Sequence, residues 1–134
     1  MQRNTPSSST LRTPKTPSIY AVDDVPELTE LYTTFLEATG YIVKAFNDRS
    51  EALAALKATQ TKPDLLITDY LGLSMAVDGF MIRCLVVHPA LRILMATGFG
   101  RTVVRACQIR PDRFIQKPFT LEELQQEVQA ALTS

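Results

Sequence analysis

The chain has 134 residues, 46% of them apolar, and 14 basic side chains balance 14 acidic ones. That length suits one domain around one core, no apolar run approaches the ~20 residues that span a bilayer, and no apolar stretch near the start forms a secretory signal. Three basic residues and no acid fall before Ser18, so the rest carries a net charge of −3, a balance that argues against direct nucleic-acid contact.

Met1 to Pro17 reads as a disordered leader. Pro6, Pro14 and Pro17 among clustered Ser and Thr cannot bury enough surface to offset the entropy of ordering, and they spoil an amphipathic targeting helix. The domain proper runs over 18–134. Ile19 to Val22 reads as a short strand ending in Asp23 and Asp24. Pro26 opens a helix whose apolar residues Leu28, Leu31, Tyr32, Phe35 and Leu36 recur at helical spacing, and Gly40 ends it. Tyr41 to Phe46 alternates as a strand. Asp48 or Ser50 caps a second helix through Ala52, Leu53, Ala55 and Leu56, which Pro63 breaks. Leu65 to Thr68 is a continuous apolar strand ending in Asp69. A looser stretch leads to a third helix over Phe80 to Val87, with Asp78-Gly79 as the turn that caps it and Pro89 as its stop. Arg92 to Ala96 is a fourth strand ending in Thr97. Gly98 and Gly100 open a short helix containing Val103, Val104 and Cys107. Arg113 to Gln116 is a fifth strand ending in Lys117. Leu121 to Leu132 closes the chain as a helix with Thr120 as N-cap and Glu123 completing a capping box.

Apolar strands alternating with helices imply a parallel sheet covered on both faces. Right-handed crossovers then give an α/β, doubly wound, five-stranded flavodoxin-like (βα)5 sandwich. Such folds place sites at the carboxyl ends of their strands. Asp23 and Asp24, Asp69, Thr97 and Lys117 all fall there.

Three carboxylates on one rim repel until a counter-charge arrives. Mg²⁺ suits them, because it takes few carboxylates and keeps water and phosphate oxygens as its other ligands. A lysine ammonium offsets phosphate charge and a threonine hydroxyl donates a hydrogen bond to it. An aspartate can be the nucleophile that forms an aspartyl phosphate. Positioning and charge neutralisation supply most of the remaining catalysis of phosphoryl transfer.

Ala21–Asp24 (AVDD), Pro63–Tyr70 (PDLLITDY), Met95–Gly98 (MATG) and Gln116–Phe119 (QKPF) resemble the receiver domain of two-component response regulators. The likeness runs from Ser18 to Leu132 and lies in the order and spacing of motifs that are each common alone. It implies that Asp69 is the phospho-acceptor, that Asp23, Asp24, Asp69 and the backbone carbonyl of Leu71 bind Mg²⁺, and that Thr97 and Lys117 contact phosphoryl oxygens. It also implies a cis bond before Pro118 and a switch role for Phe114. The implied phosphodonor is a histidine kinase or a histidine phosphotransfer protein. The implied setting is cytoplasmic, with a downstream protein partner, no nucleic acid, no membrane, and a homodimer as one oligomeric option. Such a domain catalyses its own phosphorylation and dephosphorylation and is otherwise not an enzyme. The segment after Asp69 departs from the family: it lacks the usual Met-Pro pair and is about two residues longer. The stretch between Thr97 and Phe114 is about two residues short.

Several residues also have plainer readings. Asp23-Asp24 alone reads as a solvated turn or helix cap, Thr97 before Gly98 as a turn residue, and Phe114 equally as a core aromatic. Cys84 and Cys107 read as buried reduced thiols rather than a disulfide. His88 reads as a surface residue, and Arg101, Arg105, Arg110 and Arg113 as a solvated face rather than a docking site. Leu71 and Phe99 are expected to overhang the acceptor and exclude water. A phosphorylation-independent receiver that acts only as an interaction module is the competing function. A phosphohydrolase with an aspartyl nucleophile fits less well, since Leu71 stands where its second acid belongs. With no output domain expected after Leu132, the output is expected to pass to a partner protein, to a further phosphotransfer, or to a domain beyond the given sequence.

Overall fold

A computed structural model describes residues 16–70, 75–99 and 108–133. The leader up to Lys15, Leu71, and the helix expected around Val103 and Val104 lie outside the described residues, as do Arg101, Arg105 and Cys107. The elements are β1 (Ser18–Val22), α1 (Pro26–Ala38), β2 (Ile42–Phe46), α2 (Arg49–Ala58), β3 (Leu65–Asp69), α3 (Val77–Val87), β4 (Arg92–Thr97), β5 (Arg113–Gln116) and α4 (Leu121–Thr133). The strands form one parallel sheet in the order β2-β1-β3-β4-β5. β1, β3 and β4 are almost wholly buried, so each needs cover on both faces.

Strand alternation divides the core in two. Tyr20, Val22, Leu66, Ile93 and Met95 pack against Leu53 and Leu56 of α2 and Phe80, Met81 and Cys84 of α3. Ile19, Ala21, Leu65, Ile67, Leu94 and Ala96 pack on the other face against Tyr32 and Leu36 of α1 and Leu124, Val128 and Ala131 of α4. Burial pushes the Cys84 thiol up to about 12, so it stays protonated and inert at neutral pH. None of the described helices is long and apolar enough to cross a membrane.

Three local expectations need adjustment. Asp48 takes the N-cap position of α2 without a side-chain cap bond, and Ser50 falls inside the helix. α3 starts at Val77, so Asp78 and Gly79 belong to its first turn rather than to a turn before it; an acid there complements the positive end of the helix dipole. His88 is half-buried at the end of α3, with its N–H donating to the Cys84 carbonyl. The capping box of α4 is formed as expected: Thr120 N–H donates to Glu123 Oε1 at 2.8 Å, and Glu123 N–H donates to Thr120 Oγ1 at 3.0 Å.

Gly40 terminates α1 at φ +104°, with its N–H on the Glu37 carbonyl. A Cβ there would meet nothing within 4 Å, so the objection to a side chain is purely backbone strain. Gly40→Ala is expected to lower stability by about 1–2 kcal/mol in urea unfolding, and a neutral result would contradict the left-handed conformation.

Candidate functional site

The register explains why scattered residues meet. Val22 pairs with Thr68, Asp69 with Ala96 and Thr97 with Gln116, so β1, β3, β4 and β5 end level with one another. Asp23, Asp69, Thr97 and Lys117 therefore line one rim. β2 and β3 lie on opposite sides of β1, so Asp23 and Asp69 end the two strands at which the connections diverge, the place where doubly wound sheets carry their sites.

Asp23, Asp24 and Asp69 each offer a carboxylate oxygen, and those oxygens lie within 4.8 Å of one another. Asp23 and Asp69 are buried, while Asp24 is exposed. Asp23 is firmly held. Its Oδ1 accepts from Val25 N–H at 3.0 Å, its Oδ2 from Lys117 Nζ at 2.7 Å, and its carbonyl from Asn47 Nδ2 at 2.8 Å. Asn47 Nδ2 also donates to Thr29 Oγ1 at 3.0 Å, joining the loop before α2 to the first turns of α1.

Burial and then the neighbouring charge of Asp23 raise the Asp69 carboxyl to about 6, against the opposing pull of Arg49 and Lys117. Among carboxylates so close, one must give way to protonation unless cations intervene. The same negative field reaches α1, where burial, Asp23 and Asp69 all push the Tyr32 phenol upward.

Thr97 is buried at the end of β4. Its Oγ1 accepts from Phe99 N–H at 3.1 Å, and its carbonyl accepts from Lys117 N–H at 2.8 Å. The turn reading of Thr97 is thus realised, and its hydroxyl proton can still be donated elsewhere. The Lys117–Pro118 bond is cis. Phe114 is half-buried on β5 opposite Met95, and so faces the α2/α3 side of the sheet. Phe99 is 43% exposed and sits edge-on to Tyr70, with ring centroids 5.9 Å apart. It belongs to the rim and not to the core. Of the arginine run, Arg110 is exposed and Arg113 pairs with Glu127 at 2.8 Å on the surface.

One site residue escaped the sequence reading. Arg49, the first residue of α2, is 3% exposed and reaches Asp69. Its Nη2 donates to Asp69 Oδ1 at 2.8 Å and to the Asp69 carbonyl at 2.7 Å, and its Nη1 donates to the Met75 carbonyl at 2.6 Å. In sequence it looks like a solvated residue in the polar run Asn47–Ser50. A cation at a helix N-terminus opposes the dipole, however, and that local conflict is a signal that something else holds it there.

The donor set fits a hard divalent cation: three carboxylates from two strand ends, one of them open to solvent. Arg49 and Lys117 offset two of their three charges, leaving the cluster net negative.

Comparison with known proteins places this geometry. Residues 19–129 match the family model of the response regulator receiver domain. The nitrogen assimilation regulatory protein NtrX of Azorhizobium caulinodans is 31% identical over 110 residues, covering 79% of this chain and 24% of that protein. The DNA-binding response regulator MtrA of Mycolicibacterium smegmatis is 32% identical over 117 residues, covering 85% of this chain and 50% of that protein. The chain thus spans half or less of the length of these curated relatives. Among solved structures, the chemotaxis response regulator CheY4 of Vibrio cholerae superposes with a TM-score of 0.75 at 27% identity, over 88% of this chain and 100% of that one. A response regulator receiver protein from Sinorhizobium medicae gives 0.79 at 21% identity over 90% and 97%, a likeness of fold alone. Motif order, strand order and a family match over most of the chain agree, and the protein belongs to the response regulator receiver domains of two-component signalling.

Proposed function

We propose that Asp69 accepts a phosphoryl group from a phosphohistidine on a histidine kinase or histidine phosphotransfer protein, and that the modified domain signals to a downstream protein. One observation carries the reading. Asp69 is a buried carboxylate at the end of the central strand, with two more carboxylates within 4.8 Å, a threonine at the end of the adjoining β4 and a lysine just after β5, bonded to Asp23.

With its carboxyl near 6, Asp69 is mostly ionised at neutral pH and can act as nucleophile. A carboxylate oxygen attacks phosphorus in line, and the P–N bond breaks as the donor imidazole leaves with its bonding pair. The Thr97 hydroxyl donates to a phosphoryl oxygen, and the Lys117 ammonium offsets the charge gathering there. Asp23, Asp24 and Asp69 would hold Mg²⁺, with the Leu71 carbonyl as the family likeness suggests. The ion supplies charge neutralisation between carboxylates and phosphoryl oxygens. Phe114 is the proposed switch aromatic, half-buried on the face toward α3 and able to turn further inward. The domain acts only on its own phosphorylation state, in a cytoplasmic setting, and a homodimer is one form its output can take.

The test is intact mass after incubation with acetyl phosphate or phosphoramidate and Mg²⁺. The wild type should gain one phosphoryl group and Asp69→Asn none; an equally labelled variant would remove Asp69 from the role. The Arg49–Asp69 ion pair favours a second reading, in which the acceptor is permanently neutralised and the domain is an interaction module. On that reading the wild type fails to label.

A further inference from the structure

Asp69 has two carboxylate oxygens and more claimants than oxygens. In the proposed reaction one oxygen bonds phosphorus, and the carboxylate also contacts the divalent cation. Arg49 already occupies Oδ1. It can leave only by moving. Whatever moves it also loosens its bonds to the Asp69 and Met75 carbonyls, which connect the start of α2 to the end of β3 and to the residue two places before α3.

We propose that Arg49 is a positioning residue that holds the acceptor carboxylate at rest and is exchanged for the divalent cation. Metal loading of the site and release of the tie from α2 to Met75 are then one event. The proposal rests on reading Asp69 as a metal-assisted phospho-acceptor. Two features of the geometry support exchange over coexistence. Arg49 and Asp69 are both nearly enclosed, at 3% and 6% exposed, and an Asp69 carboxylate oxygen lies within 4.8 Å of oxygens of Asp23 and Asp24, so a cation held by that cluster stands close to the guanidinium and repels it. The guanidinium also makes two contacts to Asp69 at once, through Oδ1 and the carbonyl, and a cation taking Oδ1 breaks the pair. Arg49 therefore lowers the metal affinity of the resting domain and couples it to the position of α2.

Mn²⁺ binding, followed by loss of the free-ion paramagnetic resonance signal, measures the effect without phosphorylation. Arg49→Met is expected to tighten Mn²⁺ binding at least tenfold. Arg49→Lys separates exchange from simple charge. It keeps the charge without the two-point hold, so it should also bind Mn²⁺ more tightly than the wild type, by a smaller factor. An Arg49→Lys protein with wild-type affinity would reduce Arg49 to a nearby charge and overturn the proposal. The wild type supplies a direct reading that no folding defect obscures. Its Arg49 side-chain N–H resonance should be protected from solvent exchange without metal and lose protection at saturating Mg²⁺. Retained protection at saturation overturns the exchange. Labelling of Asp69 in the same Mg²⁺ series keeps the two ideas apart. Labelling with no change of Mn²⁺ affinity in Arg49→Met sinks the exchange alone, whereas tighter Mn²⁺ binding with no adduct on Asp69 sinks the acceptor reading alone.

Discussion

Asp69→Asn is expected to be more stable than the wild type at pH 8 in metal-free buffer, and the advantage should disappear near pH 4. The folded-state carboxyl of Asp69 lies at about 6, above its ordinary value of 3.8. The folded protein therefore binds this proton more tightly than the unfolded chain does. The stabilising contribution is full below about pH 4, falls as pH rises toward 6, and is gone above it. Two pH units correspond to about 3 kcal/mol, net of the favourable pull of Arg49 and Lys117, since both already enter that balance. Asparagine keeps an oxygen for Arg49 Nη2 and removes the charge that crowds Asp23. A gain of about 2–3 kcal/mol translates to roughly 8–12 °C in a domain of this size. Circular dichroism melts of both proteins from pH 4 to 8 check it. An asparagine variant that melts below the wild type at pH 8 would mean that the Arg49 ion pair outweighs desolvation and repulsion.

The second large effect is expected at Lys117. Its ammonium donates to Asp23 Oδ2 at 2.7 Å and is 25% exposed, so it is anchored at the rim yet open to an incoming group. Lys117→Met should slow labelling of Asp69 by acetyl phosphate by about 10²–10³-fold, the loss typical when one preorganised charge donor to a transition state is removed. Lys117→Arg keeps the charge and should recover part of the rate. The methionine variant should also lose about 1–3 kcal/mol of stability at pH 7, because among the described residues Asp23, 1% exposed, keeps only the Val25 N–H as a hydrogen-bond donor to its carboxylate. Quenched time courses read by mass settle the rate. Labelling within threefold of the wild type would place Lys117 outside the phosphoryl site and leave it a purely structural partner of Asp23.

Much of this protein is readable in its amino-acid order, for a physical reason. A strand buried on both faces must be largely apolar, so the ends of β1, β3 and β4 show as an abrupt change to polar residues at Asp23, Asp69 and Thr97, whereas Lys117 follows the half-exposed edge strand β5 and is marked by the proline after it. In a parallel α/β sheet those ends share one edge. The α/β class, nearly every boundary of the described elements, the capping box at Thr120 and Glu123, and the candidate rim residues all come from that local grammar. Strand order does not, since periodicity says which residues pair with a core but not which strand lies beside which; crossover packing decides it. The start of α3 is displaced for a similar reason, because Val77 becomes helical only with a core to bury it. Arg49 is the clearest case. Nothing in its neighbouring sequence points to Asp69, and a polar run at a helix start ordinarily faces water. Only the docking of α2 on the sheet, with its first residue at the level where β3 ends, carries the guanidinium to Asp69. A long side chain can cross that gap, but its destination is set by elements twenty residues apart in sequence, which local pattern cannot encode.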